Sequence, residues 1–356
     1  MQKISLLVII LFVVVFLSGC GEKNKEATIG SGGVYKSSDG GETFHLTSVV
    51  SKEKSLSNAS ILDLEISPID PNIIYAATAT HGIYRTSNGG QSWAESKSDF
   101  TYVRKIALDP LNKNIIYIIA NKDDERALFK TIDGGINWKK LLAQRNSKTP
   151  RMVDVIIDKN NSNILYTTDT TGGVFKSTDG GKEWASIYWA EDPVKTVLLD
   201  AKNSQRIYLL TTADEVYVSD DGGTSFKISG PEDGFDEIYS MSVSQTQQGF
   251  LYVLSRNGLQ VTKDGGKTYE NMNTLLPPEN TVAHEVVSDP INKDILYLVA
   301  GKIIYKTTNG GKTWTSTSLK IKWPVKSFVI DYQNHNNIYM GLAKPPKQQS
   351  NFLFPF

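Results

Sequence analysis

The sequence predicts an all-β chain closed into a ring of seven four-stranded sheets, and three observations predict it. First, a signature recurs seven times, 42 to 49 residues apart, at Asp39, Asn88, Asp133, Asp179, Asp221, Asp264 and Asn309. Each is followed by Gly-Gly and, three residues past the second glycine, by an aromatic residue (Phe44, Trp93, Trp138, Trp184, Phe226, Tyr269, Trp314). Second, seven pairs of apolar runs are interleaved with these signatures. Third, the chain opens on a signature and closes on an apolar pair, so each end carries half a unit. A fixed period in this range marks a repeat architecture, and a four-stranded unit of this length is a propeller blade.

Each signature reads as a hairpin turn. Gly-Gly supplies two positions free to take positive φ. Asp or Asn before it accepts hydrogen bonds from its own turn. The aromatic residue opens the return strand and fills space between units, so Trp138 and Trp184 are expected to be buried. Each copy follows a short strand, such as Gly33-Val34-Tyr35-Lys36 or Gly173-Val174-Phe175-Lys176. These acids therefore read as structural.

The apolar pairs supply the other half of each unit. Examples are Leu62-Asp63-Leu64-Glu65-Ile66 with Asn72-Ile73-Ile74-Tyr75, and Ile106-Ala107-Leu108 with Asn114-Ile115-Ile116-Tyr117. Runs of this length bounded by Pro, Asn and Asp read as buried strands joined by hairpins. A blade is then strands A and B from the apolar pair and strands C and D around the signature. Pairing residues 33–46 with 325–342 in one shared blade closes the ring and removes the exposed edges of an open array. The expected organisation is a targeting segment at 1–19, a tether at 20–31, one seven-bladed propeller at 32–343, and a tail at 344–356.

The first residues read as an export signal. Lys3 precedes an apolar run, Ile4 to Leu17, interrupted only by Ser5, too short for an ordinary span and suited to a signal-peptide core. Leu17-Ser18-Gly19-Cys20 resembles a bacterial lipobox, which implies lipid on Cys20 and cleavage before it. The other reading is an uncleaved anchor helix. Cys20 is the only cysteine, so no internal disulfide can form. The expected localisation is extracytoplasmic, on the outer membrane or cell surface, with the membrane reached through that lipid. Removing residues 1–19 leaves 37 basic against 38 acidic residues, a net charge of −1. That balance argues against a nucleic-acid partner, which would want a basic stripe.

The Asp/Asn-Gly-Gly-x-x-aromatic grammar resembles the Asp-box, or BNR, repeat of sialidases, sortilin, xyloglucanases and the photosystem II assembly factor. The resemblance covers nearly all of the chain after the tether and implies the propeller fold. The assembly factor is similar in plan: one exported seven-bladed propeller, often lipid-anchored and non-catalytic. Its B strands usually read Gly-Trp-x-Val-Gly, whereas this chain reads Asn-Ile-Ile-Tyr, nearer to sortilin and xyloglucanase repeats.

In a propeller the A–B and C–D turns share one face, and ligands usually bind the other. On that other face the sequence offers Tyr102, Arg104, Arg151, Tyr188, Trp189, Phe235, Arg256 and Trp323 as candidate partner-binding residues. Trp189 and Trp323 are the two tryptophans of six outside the signatures. They are either binding anchors or packed under their own loops. Bases near Arg151 and acids near Phe235 lie in different blades and would polarise the face.

No catalytic residue is assigned. The seven arginines include no Arg-Ile-Pro motif of the sialidase kind. At the positions matching the xyloglucanase acid stand Ala79 and Thr170. Asp63, Glu65, Asp154 and Glu285 read as isolated carboxylates, while a glycosidase needs two that face each other. The four histidines lack metal-ligand spacing, and every Gly-Gly belongs to a signature or its preceding strand, so neither metal nor cofactor is expected. The reading is a lipid-anchored, non-enzymatic propeller binding a protein or peptide at the cell envelope in an assembly or scaffold role. The alternative is a glycoside hydrolase or glycan-binding protein of the same repeat class.

Overall fold

Each signature folds into a turn tied by its own side chains. In the first, Asp39 Oδ1 accepts the N–H groups of Glu42 and Thr43, both at 3.0 Å, and Oδ2 accepts the Thr43 hydroxyl at 2.5 Å. The Ser37 hydroxyl donates to Asp39 at 2.7 Å and accepts the Gly41 N–H at 2.9 Å. Gly40 and Gly41 stand at φ 72° and 92°, where a side chain would be strained. The same hydroxyl-to-Asx pair recurs at Thr86–Asn88, Thr131–Asp133, Ser177–Asp179, Ser219–Asp221, Thr262–Asp264 and Thr307–Asn309. The second glycine then hydrogen-bonds that hydroxyl.

Every signature turn also docks on the A–B turn of its own sheet. The first glycine's N–H donates to a carbonyl there: Gly40 to Asn336, Gly89 to Asn72, Gly134 to Asn114, Gly180 to Asn163, Gly222 to Gln205, Gly265 to Gly249 and Gly310 to Asp294. The two kinds of turn thus occupy one face.

The computed structural model describes residues 31–51, 54–96, 99–123, 125–142, 151–272 and 283–345. The proposed signal segment, Cys20, nearly all of the tether, Arg145 and Lys148 (the bases near Arg151) and the end of the tail lie outside the described residues. The strands form seven four-stranded antiparallel sheets, and among the described residues there is no helix. Numbered along the chain, the inner strands are Ile61–Ile66 in blade 1, Tyr102–Leu108 in blade 2 and Met152–Asp158 in blade 3. They continue with Val194–Asp200 in blade 4, Ile238–Val243 in blade 5, Glu285–Ser288 in blade 6 and Val325–Ile330 in blade 7.

Blade 7 joins the two ends of the chain. Its order is His45–Leu46, Gly33–Ser37, Ile338–Leu342, Val325–Ile330. Gly33 pairs with Leu342 and Ser37 with Ile338, so the closing hairpin supplies strands A and B and the opening one C and D. The ring is closed as the phase of the repeats requires.

Seven hydrophobic clusters sit at the seven interfaces between neighbouring blades. The B strands are buried on both faces, as in Ile74–Thr78, Leu251–Ser255 and Ile338–Leu342, which is why they read as continuous apolar runs. Of the signature tryptophans Trp93 is buried, donating its indole N–H to Thr47 O at 2.6 Å in blade 7. Trp138 and Trp184 are only half-buried, a correction to the expectation that they would be fully enclosed. Each turns its indole N–H back to its own turn, on Gly135 O and Gly181 O.

A tyrosine recurs within every B strand, and in five blades it has a specific task. Tyr117 donates its hydroxyl to Gly180 O of the next blade at 2.9 Å, and Lys130 reaches the same oxygen at 2.7 Å with its ammonium over the Tyr117 ring. Tyr166 and Lys176 clamp Gly222, Tyr297 and Lys306 clamp Gly40, and Tyr339 and Lys36 clamp Gly89. Tyr75 reaches Gly134 with Arg85 on its hydroxyl. On both sides of blade 5 the clamp is missing. Val218 and Val261 replace the lysine, and the Tyr208 hydroxyl is buried without a partner.

The turns make the fold acid-sensitive in a defined window. The Asn137 N–H, the Thr131 hydroxyl and the Asn137 amide hold the Asp133 carboxyl down at about 2. Asp39, Asp179, Asp221 and Asp264 are also lowered. A carboxyl depressed in the folded state contributes stability above its unfolded value of about 3.9, and that contribution is lost as pH falls towards the folded value. Asp133→Asn, which copies the residue found at positions 88 and 309, should therefore lose less stability between pH 4.5 and 2. Urea midpoints across that range test this; an identical acid limb in both proteins would refute it.

Candidate functional site at the channel mouth

The inner strands enclose a cavity of about 520 Å³ on the ring axis, lined from all seven blades. Its lining is set by a repeated irregularity. In six blades the A–B pairing skips one residue near the start of the inner strand: Leu62, Arg104, Val153, Lys195, Tyr239 and Lys326. Such a bulge turns its residue out of the ladder. Of these, Leu62, Arg104, Val153, Lys195 and Lys326 line the cavity at its mouth, on the face opposite the turns.

One residue deeper lies a belt, Asp63, Lys105, Asp154, Thr196, Ser240, Glu285 and Ser327, which share one cross-strand register. Belt side chains bind the main chain of the following blade. Ser327 accepts the Leu64 N–H at 3.0 Å, Asp63 the Ile106 N–H at 2.9 Å, Asp154 the Val197 N–H at 3.0 Å, and Ser240 the Val286 N–H at 3.4 Å. Lysine cannot accept, so Lys105 reaches back instead, 3.3 Å from Asp63 and 3.6 Å from Glu65.

The four carboxylates that read as isolated in the sequence therefore converge on one channel, a correction with a simple cause. They lie on the inner strands of three different blades, and only ring closure brings those strands together. Burial pushes Glu65 up to about 7 against the pull of Lys105. Burial likewise raises Asp154 and pushes Glu285 up to about 8. It opposes the charge of Lys105 too, but Asp63, Glu65 and Asp154 outweigh it and hold that ammonium above its usual range. Glu285 takes the Phe328 N–H, yet its Oε2 is buried without a hydrogen-bond partner. At the turn face, Lys159 of blade 3 lies 5.2 Å from the centre of the Tyr332 ring of blade 7 and donates to Gln245 of blade 5. These three turns meet at that end.

The structure brings together three of the eight candidate partner-binding residues and adds a fourth. Tyr102, Arg104 and Arg151 meet Arg126 at the mouth between blades 2 and 3. The Arg126 guanidinium lies 5.1 Å from the centre of the Tyr102 ring and its Nε donates to Asn121 Oδ1 at 3.0 Å. Arg104 Nε is fixed on Val153 O at 2.8 Å. Burial lowers the Arg126 pKa, and the charges of Arg104 and Arg151 lower it further. The Arg126 guanidinium thus stands over a tyrosine within the repulsive field of two others. The sequence puts Arg126 on the same face but does not single it out, because it reads as one charge in a run of four, Asp123 to Arg126.

The other five candidates stand apart from this cluster. Tyr188 packs between Tyr217 and Phe226, with ring centres 5.8 and 4.6 Å away, inside the interface of blades 3 and 4. Phe235 stands edge-on to Tyr269 at 5.1 Å. Trp323 covers Gly32, where a Cβ would come within 2.5 Å of the indole. Arg256 pairs with Asp236 and Glu237, so the acids near Phe235 are partly neutralised in place. Trp189 remains 55 % exposed, edge-on to Phe175 at 5.9 Å.

Known proteins of this shape fall into several groups. Residues 32–173 match the Sortilin-Vps10 family model, described as sortilin, neurotensin receptor 3, and residues 110–237 match the DUF6242 β-propeller domain. No curated protein matches the chain. Among solved structures, the GH74 enzyme of Niastella koreensis superposes with a TM-score of 0.67 at 20 % identity, over 80 % of this chain and 51 % of that one. YCF48 from Cyanidioschyzon merolae gives 0.62 at 13 % identity over 80 % and 96 %, and YCF48 bound to a D1 peptide gives 0.61 at 16 % over 80 % and 94 %. The chain spans about half the length of the GH74 enzyme it matches. At these identities the likeness is one of fold: a seven-bladed propeller resembling the sortilin, GH74 and YCF48 propellers.

Proposed function

We propose that this protein is a lipid-anchored, non-enzymatic propeller that binds an acidic segment of a protein or peptide partner at the bacterial cell envelope. The observation that carries the reading is the convergence of Arg104, Arg126 and Arg151 on Tyr102 at an accessible channel mouth. Mutually repelling guanidinium groups gain most when a carboxylate is placed between them, and Arg and Tyr are residue types that dominate interface energy. A similar single propeller, YCF48, has been solved with a peptide bound, which supports this mode of use.

The GH74 likeness supports the alternative, a glycoside hydrolase or glycan-binding protein. What favours binding is the state of the channel acids. Asp63 and Glu65 share Lys105, and both Asp154 oxygens hold main-chain N–H groups, of Val155 and Val197.

Arg126→Gln with Arg151→Gln should weaken partner capture from envelope extracts by roughly 30-fold, about 2 kcal/mol, with the thermal midpoint unchanged. Undiminished capture by the double variant would sink the reading. Hydrolysis of xyloglucan or sialosides that vanishes in Asp154→Asn would favour the enzyme. For the anchor, Cys20→Ser should move the protein from the membrane to the soluble extracytoplasmic fraction. A variant that stays membrane-bound after signal cleavage would refute lipidation.

A further inference from the structure

We infer that the central channel is a binding site for a small zwitterion, with its anionic end under the basic rim at Lys326 and Arg104 and its ammonium against Glu285 in the belt below. The inference starts from the layering of the inner strands. The bulge residues of blades 2, 4 and 7 put Arg104, Lys195 and Lys326 at the mouth, and the belt position one residue deeper puts Asp63, Asp154 and Glu285 on blades 1, 3 and 6. Successive residues along a strand are about 3.3 Å apart, so opposite charges lie at depths that one short molecule can span.

The other charges are already engaged. Lys195 is held by Asp214 at 2.8 Å. Asp63 and Glu65 share Lys105, and Asp154 is used by two main-chain N–H groups. Glu285 alone of the belt acids presents a buried oxygen that lacks a donor. It faces Asp63, Lys105 and Lys326, with the Phe328 N–H on its carboxyl.

A buried acceptor without a donor gains strongly from a charged one. A simple cation must pass the basic rim and a simple anion would meet the acidic belt, whereas a zwitterion satisfies both. The cavity, about 520 Å³, is in the range of small-molecule sites. The inference shares only Arg104 with the peptide reading; the residues that test it, Glu285 and Lys326, take no part in that reading.

Calorimetry on the full chain with 6-aminohexanoate, hexanoate and hexylammonium tests it. 6-Aminohexanoate should bind at least ten-fold more tightly than either half-molecule. Glu285→Gln and Lys326→Met should each weaken it at least ten-fold. Pairing with an ammonium requires Glu285 as carboxylate, which burial disfavours near neutrality. Binding should therefore strengthen from pH 6.5 to 9 and release a proton near neutral pH, seen as a dependence on buffer ionisation heat. Absence of 6-aminohexanoate binding, equal binding of hexylammonium, or full binding by the variants would overturn the inference. Should Glu285→Gln fail to fold, Lys326→Met, at an exposed residue, decides alone.

Discussion

A chain ending at Pro324 should fail to fold, whereas one ending at Pro345 should melt like the full chain. The shorter chain keeps Gly33–Ser37 and His45–Leu46 but loses the two strands they depend on, Val325–Ile330 and Ile338–Leu342. Phe328, Ile330, Ile338, Met340 and Leu342 leave the core between blades 6 and 7, and Tyr339 leaves the core between blades 7 and 1. Fully burying one such side chain stabilises by about 1.5–3 kcal/mol. Six of them exceed a domain's net stability of about 5–15 kcal/mol at the low end and rival it at the high end. The Ser327 bond to Leu64 and the Tyr339 bond to Gly89 go with them. The inner strands of blades 6 and 1 would each gain an open flank. Circular dichroism melts decide the matter: a Pro324 chain with the full-length midpoint would show that closure is not what holds the ring.

The ring was legible because the signature is local. Asp39 and Gly41 make their turn bonds within seven residues, Ser37 to Thr43, so the spacing of the signature reports blades directly. Parts of the same turn went unread for the opposite reason. A Ser or Thr stands two residues before each Asx, yet Ser37 reads as the end of a strand until its hydroxyl is seen between Asp39 and Gly41. Tyr117 reads as one residue within an apolar run, and its bond to Gly180 spans two blades.

The candidate site was legible only in pieces. Tyr102, Arg104 and Arg151 stand at comparable places before or within inner strands, so position in the repeat picked them out. Tyr188 and Phe235 occupy similar places but face inward, because the aromatic at a D strand or loop can turn either way and the sequence does not state which. The carboxylates Asp63 and Glu65 alternate along one strand, as residues on a single face do. That the face looked onto Lys105, Asp154 and Glu285 depended on the whole ring.

Lys105→Met should destabilise the protein by about 2–3 kcal/mol at pH 8 and by much less at pH 5. Breaking a buried ion pair by removing one partner typically costs about 3–5 kcal/mol; partial solvent access at this site reduces that, since the Lys105 side chain is 31 % exposed. Methionine keeps most of the volume, so the loss is electrostatic. Without the ammonium, Asp63 and Glu65 face each other in a site where burial already raises Glu65. The folded pKa of Glu65 then stands above its unfolded one, and such a group stabilises only below the unfolded value and costs stability as pH rises through the folded one. Acidification should therefore rescue the variant. Adding Asp63→Asn and Glu65→Gln should restore most of the midpoint at pH 8, because the amide oxygen introduced by Asp63→Asn can still accept the Ile106 N–H that Asp63 now accepts. A penalty of equal size at pH 5 and pH 8 would mean that Lys105 acts through packing, and that the channel charges do not balance one another across the ring.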